Sequence, residues 1–180
     1  MYINWKRKEL VFTIALYGPQ GSGKTTTWQH IARKATEPPR AGEDSVSLYL
    51  QDVQGKHLLL NLRDTDGRQA GRGRRRTALY GVDGIIFVAD STPERLQANV
   101  DSLYELEGYL GEMSKTIYMM PFLFQYNKRD LSAALQIREI QEHLNPDRIF
   151  SHQATVAREG EGMLEVMQTI TDLILATVLQ

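Results

Sequence analysis

The chain has 180 residues, 42% of them hydrophobic and 24% charged, with a net charge of −1. That is enough for one domain with a substantial core, and it brings no global electrostatic pull toward nucleic acid or acidic membranes. Cysteine is absent, which excludes disulfides, thiolate zinc sites, a thiol nucleophile and prenyl or palmitoyl anchors.

Tyr2 after Met1 breaks the myristoylation pattern, and residues 1–9 lack an apolar signal core. No stretch approaches the roughly 18 apolar residues of a membrane span. A single domain over residues 1–180 is expected, cytoplasmic by elimination, with no transmembrane segment or lipid anchor.

Apolar runs alternate with segments of helical period. Residues 10–17 form a buried-strand run that ends at a glycine-rich loop, and residues 25–34 predict a helix closed by Pro38 and Pro39. Residues 46–51 and 56–62 flank the turn signal Gln54-Gly55 and predict a hairpin. Residues 64–76 are polar, with three glycines and five arginines. Residues 84–89 are nearly all apolar, as in the interior of a parallel sheet. Leu96, Val100, Leu103, Leu106 and Leu110 then recur at helical spacing. A strand over 121–126, a short helix over 133–144, a last strand over 149–154 and a C-terminal helix striped by Met163, Met167, Ile170 and Ile174 complete the pattern. Trp28, Tyr80 and the two methionines read as packing residues. The alternation predicts an α/β fold, an open six-stranded sheet, mostly parallel, with helices on both faces and one antiparallel edge strand from the hairpin. Gly18, Asp64, Asp90 and Asn127 all follow predicted strands, so they converge on one edge of the sheet, where such folds bind ligands.

Three motifs stand on that edge. Gly18-Pro19-Gln20-Gly21-Ser22-Gly23-Lys24-Thr25 fits G-x-x-x-x-G-K-[ST]. Its backbone N–H groups and the following helix start cradle a polyphosphate, Lys24 bridges β- and γ-phosphates, and Thr25, next to Thr26, ligates magnesium. Gln20 stands beside the γ-phosphate position, where its amide either crowds or orients an attacking water, or points to solvent. Asp64-Thr65-Asp66-Gly67 fits D-x-x-G: Asp64 holds magnesium through a water, and Gly67 offers its N–H to the γ-phosphate. Asn127-Lys128-Arg129-Asp130 fits N-K-x-D. The Asp130 carboxylate accepts two hydrogen bonds from guanine, a donor pair that adenine lacks, while Asn127 braces the loop and the Lys128 stem covers the ring. A second base-contacting loop is expected at Ala154 and Thr155, through a backbone N–H.

The strings Tyr17-Gly18-Pro19, Gly23-Lys24-Thr25-Thr26, the segment 81–91 (GVDGIIFVADS) and Gln125-Tyr126-Asn127-Lys128-Arg129-Asp130-Leu131 resemble the Ras-like small GTPases, especially the bacterial MglA type of gliding-motility and polarity GTPases. The resemblance spans nearly the whole chain. It implies a P-loop NTPase of Ras-like fold, binding of GTP and GDP with Mg2+, two switch loops, slow GTP hydrolysis and a roadblock-type (MglB-like) activating protein. The chain departs from that pattern in three ways, the first being a segment between Lys24 and Asp64 shorter than in MglA-type proteins and nearer the length in eukaryotic small GTPases. Gly42 falls near the position of the first-switch threonine, with Thr36, Ser45 and Ser47 the nearest hydroxyls, and Arg68 stands where a water-orienting glutamine is common, with Gln69 one residue later.

Arg68, Arg72, Arg74, Arg75 and Arg76 admit three readings: a solvated loop or helix face, a docking patch for an acidic partner, nucleic acid or lipid headgroup, or an internal arginine finger. Arg40 is a second finger candidate. Docking through this cluster with little or no hydrolysis is the alternative function.

Overall fold

The computed structural model describes residues 2–35, 45–53, 55–65 and 72–178. Seven strands form one sheet: β1 (Tyr2–Asn4), β2 (Glu9–Tyr17), β3 (Ser45–Val53), β4 (Lys56–Asp64), β5 (Gly84–Asp90), β6 (Phe122–Asn127) and β7 (Ser151–Ala154). The main order is β3-β4-β2-β5-β6-β7, with β3 antiparallel to β4 and the remaining neighbours parallel. The α/β class and the antiparallel hairpin strand agree with expectation.

The sheet gains a seventh strand that sequence pattern did not predict. β5 pairs with β2 only at residues 14–17, which leaves the earlier part of the same β2 edge open, and β1 fills it antiparallel through Tyr2↔Val11, Ile3↔Leu10 and Asn4↔Glu9. Three residues are too few to show alternation.

Helices α1 (Lys24–Ala32) and α5 (Met163–Val178) cover one face, packing on a core that includes Leu10, Phe12, Ile14, Leu16, Leu60 and Ile86. α3 (Leu96–Glu112) and α4 (Ile137–Leu144) cover the other, over Tyr17, Phe87, Phe124 and Tyr126. β5 and β6 are buried along their whole length; β5 is apolar up to Asp90, while β6 carries the buried polar Gln125 and Asn127 among its aromatic and aliphatic residues. α4 starts later than its periodicity predicts because Gln136 and Glu139 form a capping box that fixes its first turn.

Trp28 packs against the first core and donates its indole N–H to the Leu62 carbonyl at 3.3 Å, while Met163 is buried. Tyr80 instead lies exposed in the turn before β5, where its carbonyl accepts from Arg63. The arginine-rich stretch, read as a loop or a helix face, forms a helix, α2 (Arg72–Ala78). It is tied to α3 by two ion pairs, Arg75–Glu105 at 3.1 Å and Arg76–Glu112 at 2.9 Å. No helix among the described residues is long and apolar enough to cross a membrane.

Candidate functional site

The parallel strands β2, β4, β5 and β6 end at Tyr17, Asp64, Asp90 and Asn127, so all the motif loops leave from one edge of the sheet. After β2 the chain crosses to β4 on one side and then to β5 on the other, which opens a crevice beside the β2 end. The loop from Gly18 fills that crevice.

Two of its glycines are obligatory. Gly18 has φ +138°, and a Cβ there would run into the Val88 carbonyl oxygen. Gly23 has φ +107°, and its Cβ would occupy the place of Asn127 Nδ2. That nitrogen donates to the Ser22 carbonyl at 2.8 Å, so the missing side chain is what lets the phosphate loop and the N-K-x-D loop interlock. The Lys24 side chain is 2% exposed and turns back along the loop, its Nζ donating to the carbonyls of Gly18 at 2.7 Å and Pro19 at 2.6 Å. Thr25 Oγ1 donates to Asp64 Oδ2 at 2.7 Å across 39 residues of sequence, which joins the two expected magnesium residues. A hydroxyl and a carboxylate are hard oxygen donors of the kind magnesium takes beside phosphate and water.

Asn127 is the brace of the site. Besides its bond to Ser22, its Oδ1 accepts from Thr155 Oγ1 at 3.1 Å and from the Ala157 N–H at 2.9 Å. Beneath it the buried Gln125 Nε2 donates to Thr27 Oγ1 at 2.8 Å and Thr155 Oγ1 at 3.1 Å, so α1, β6 and the loop after β7 share one polar network.

Around this brace lies a cavity of about 280 Å³, lined by Gly21, Gly23, Thr26, Asn127, Lys128 and Asp130 and closed by Val156, Ala157 and Arg158. Ala154 and Thr155, expected to supply the second base contact, do not line it. Ala154 ends β7, and Thr155 is buried under Asn127, so the wall falls two to three residues later. Arg158 was not anticipated, yet its Nη2 lies 2.9 Å from Asp130 Oδ2. The only signal for it is a basic residue just after the last strand.

Lys128 adopts φ +65° and pairs through Nζ with the buried Asp90 Oδ2 at 2.6 Å. Lys128 lines both the cavity around Asn127 and a second one of about 550 Å³ that adjoins Gln20 and Asp90. Arg95 closes this second cavity and donates to the Gln20 carbonyl at 2.5 Å. The Gln20 side chain is exposed.

The expected residues Arg40, Gly42, Thr36, Gly67, Arg68 and Gln69 lie outside the described residues. Of the arginine cluster, Arg75 and Arg76 are committed to α3. Arg75 joins a network at the foot of the phosphate loop: Tyr17 Oη donates to Glu105 Oε2 at 2.9 Å and Tyr109 Oη donates to Oε1 at 3.1 Å. Burial, and then the Glu105 carboxylate, push the Tyr17 hydroxyl well above its usual range. Burial alone would raise Glu105, but the bonds from Tyr17 and Arg75 outweigh it and hold the carboxyl below its usual range.

A carboxyl with a depressed folded pKa stabilises the fold above its unfolded value, near 4.5, and loses that contribution as pH falls through the lower folded value. In melting curves from pH 7 to pH 3, Glu105→Gln is therefore less stable than the parent chain at neutral pH. The gap closes progressively below about pH 4.5. A gap independent of pH would show that the Glu105 charge is not what matters.

Comparison with known proteins agrees with this geometry. The model of the ADP-ribosylation factor family matches residues 3–174. The mutual gliding-motility protein MglA of Myxococcus xanthus is 34% identical over 187 aligned positions, covering 97% of this chain and 95% of that protein. ADP-ribosylation factor-like protein 2 is 28% identical in Drosophila melanogaster, covering 90% of this chain and 86% of the relative. In Arabidopsis thaliana it is 27% identical, covering 89% and 85%. The interlocked G-x-x-x-x-G-K-[ST] and N-K-x-D loops thus sit in a chain that is similar to GTPases over almost its whole length, and it belongs to the ADP-ribosylation factor family of Ras-like small GTPases, with greater similarity to MglA than to the two factor-like proteins.

Proposed function

We propose that this chain, as one domain over residues 1–180, is a cytoplasmic guanine-nucleotide switch that binds GDP and GTP with Mg2+ and hydrolyses GTP slowly. The observation that carries the reading is the joint bracing of two loops by Asn127, which ties a phosphate cradle to a cavity bearing the Asp130 carboxylate. In this reading Gly18, Gly21, Ser22, Gly23 and Thr26 shape the cradle and Lys24 neutralises phosphate charge. Asp130 reads the purine edge, with the backbone of Ala157 and Arg158 beside the base in place of Ala154 and Thr155. The Lys128 stem lies along the purine while its ammonium stays with Asp90.

Thr25 and Asp64 fit a magnesium site by donor type and by their 2.7 Å separation. Magnesium bound there supplies charge stabilisation at the β- and γ-oxygens. Gly67, Arg68, Gln69 and Arg40 are proposed to act at the γ-phosphate from the two switch segments. Positioning and electrostatics then supply most of the acceleration, because phosphoryl transfer needs little covalent help from the protein. A roadblock-type activating protein is the proposed partner.

Single-turnover assays with GTP and ATP test the reading. Magnesium-dependent release of phosphate from GTP, accelerated by a roadblock-type protein, is expected. Phosphate release from ATP at an equal rate would contradict it.

Arg68 at the usual glutamine position favours one second reading, a nucleotide-dependent docking module with little or no hydrolysis. The substitution Arg68→Gln separates the two. If water orientation limits the rate, it speeds hydrolysis by about 10-fold or more. A loss of rate would make Arg68 a participant.

A further inference from the structure

We propose that the turn joining β1 to β2 is a docking tip for anionic membrane surfaces. All four residues of this turn, Trp5, Lys6, Arg7 and Lys8, are exposed, and Trp5 shows 74% of its surface to solvent. An indole so placed adds nothing to either core. The Lys56 ammonium lies 5.5 Å from the centre of the Trp5 ring, so the start of β4 joins the same tip. The tip thus carries one exposed indole and four basic residues, Lys6, Arg7, Lys8 and Lys56, on a protein whose net charge is −1. Among the described residues, the Glu9 carboxylate lies 4.0 Å from Arg7, and Asp52, near the start of β4, is engaged by His57 at 2.6 Å.

The tip is held in shape. Lys8 turns the chain with φ +53°, its carbonyl accepts from the His57 N–H at 2.7 Å, and Asn4 Oδ1 accepts from the Arg7 N–H at 3.2 Å. Docking therefore orders little that is not already ordered. Indole rings settle at the headgroup level of a bilayer, and basic side chains beside them gain from anionic lipid.

A single-stranded nucleic acid needs a groove or flat platform on which successive bases stack. A convex turn with one indole at its end offers neither, which favours a lipid surface. The position also suits a switch. The turn lies at the start of β2 and the phosphate loop at its end, about 30 Å away along nine residues. Bound through this tip, the protein leaves its nucleotide edge and α2 turned away from the membrane.

The test is vesicle co-sedimentation of the full chain with neutral phosphatidylcholine vesicles and with vesicles containing phosphatidylserine. The variants are Trp5→Ala and a triple Lys6→Glu, Arg7→Glu, Lys8→Glu, each checked by thermal melting and nucleotide binding, which surface changes at this distance from the nucleotide loops leave unchanged. Binding to the anionic vesicles at least 10-fold tighter than to neutral ones is expected, weakened by salt. It falls at least 10-fold in the triple variant and several-fold in Trp5→Ala, whose loss also removes a blue shift of the indole emission. Equal partition to both vesicle types, or binding that survives both variants, overturns the proposal. So does tight binding of a single-stranded oligonucleotide that quenches Trp5 without vesicle binding.

Discussion

Asp130→Asn is expected to lower GDP affinity by about 100-fold or more and to raise affinity for xanthosine diphosphate. The carboxylate accepts two parallel hydrogen bonds from guanine, and bonds to a charged acceptor contribute roughly 1.5–3 kcal/mol each. The amide oxygen still accepts from N1–H, but the amide nitrogen presents a donor to the exocyclic amine of guanine, so one of the two contacts is kept and the other is replaced by donor–donor repulsion. Xanthine carries a carbonyl at that position and accepts from the new amide. Arg158 Nη2 lies 2.9 Å from this carboxylate and occupies one of its oxygens, leaving further lone-pair sites for the purine. Titration of the purified variant with both nucleotides checks the result. Unchanged GDP affinity would show that Asp130 does not read the base.

The second large effect is expected at Gly23→Ala, and it reaches the fold as well as the ligand. An alanine at φ +107° costs about 1–2 kcal/mol in backbone strain. Its methyl would also collide with Asn127 Nδ2, the donor to Ser22. Displacing Asn127 breaks its bonds to Ser22, Thr155 and Ala157 in a buried setting, where each unsatisfied group costs roughly 1–3 kcal/mol. A loss of about 3–5 kcal/mol in unfolding free energy is expected, together with loss of nucleotide binding. Gly21→Ala is the control: Gly21 also has positive φ, but a Cβ there meets nothing within 4 Å. It therefore carries only the backbone strain. Equal destabilisation by the two changes in urea unfolding would show that the interlock with Asn127 is not what Gly23 permits.

The three motifs were legible in the sequence because their residue types are dictated by local geometry. Glycine is the only residue that fits at Gly18 and Gly23, and Asn127 is suited to brace because its amide donates on one side and accepts on the other. A buried strand such as β5 announces itself as a nearly continuous apolar run. Features that depend on distant partners were not visible. β1 exists because β5 leaves part of β2 unpaired. α2 contains glycine and a run of arginines, and it is anchored by Glu105 and Glu112, about 30 residues away. The cavity beside Asp130 is lined by Val156, Ala157 and Arg158 and not by Ala154 and Thr155, a placement that composition does not reveal because the end of a short strand is hard to locate from it. Arg158 became recognisable only once folding had placed it against Asp130.

Those partners also bear on how the nucleotide edge communicates. Tyr17 directly precedes Gly18, and Arg75 belongs to α2, yet both meet on the Glu105 carboxylate of α3. The Glu105 carboxylate thus links α2 to the strand end that precedes Gly18. Asp90 plays a similar part on the other side, receiving Lys128 at 2.6 Å while its backbone is held by Asn99.

Competition for the site by GDP, GTP, ADP and ATP against a fluorescent guanine nucleotide in magnesium tests the central claim most directly. The account predicts displacement by GDP and GTP at concentrations about 100-fold or more below those needed with ADP and ATP. Displacement by adenine and guanine nucleotides at equal concentrations would contradict it.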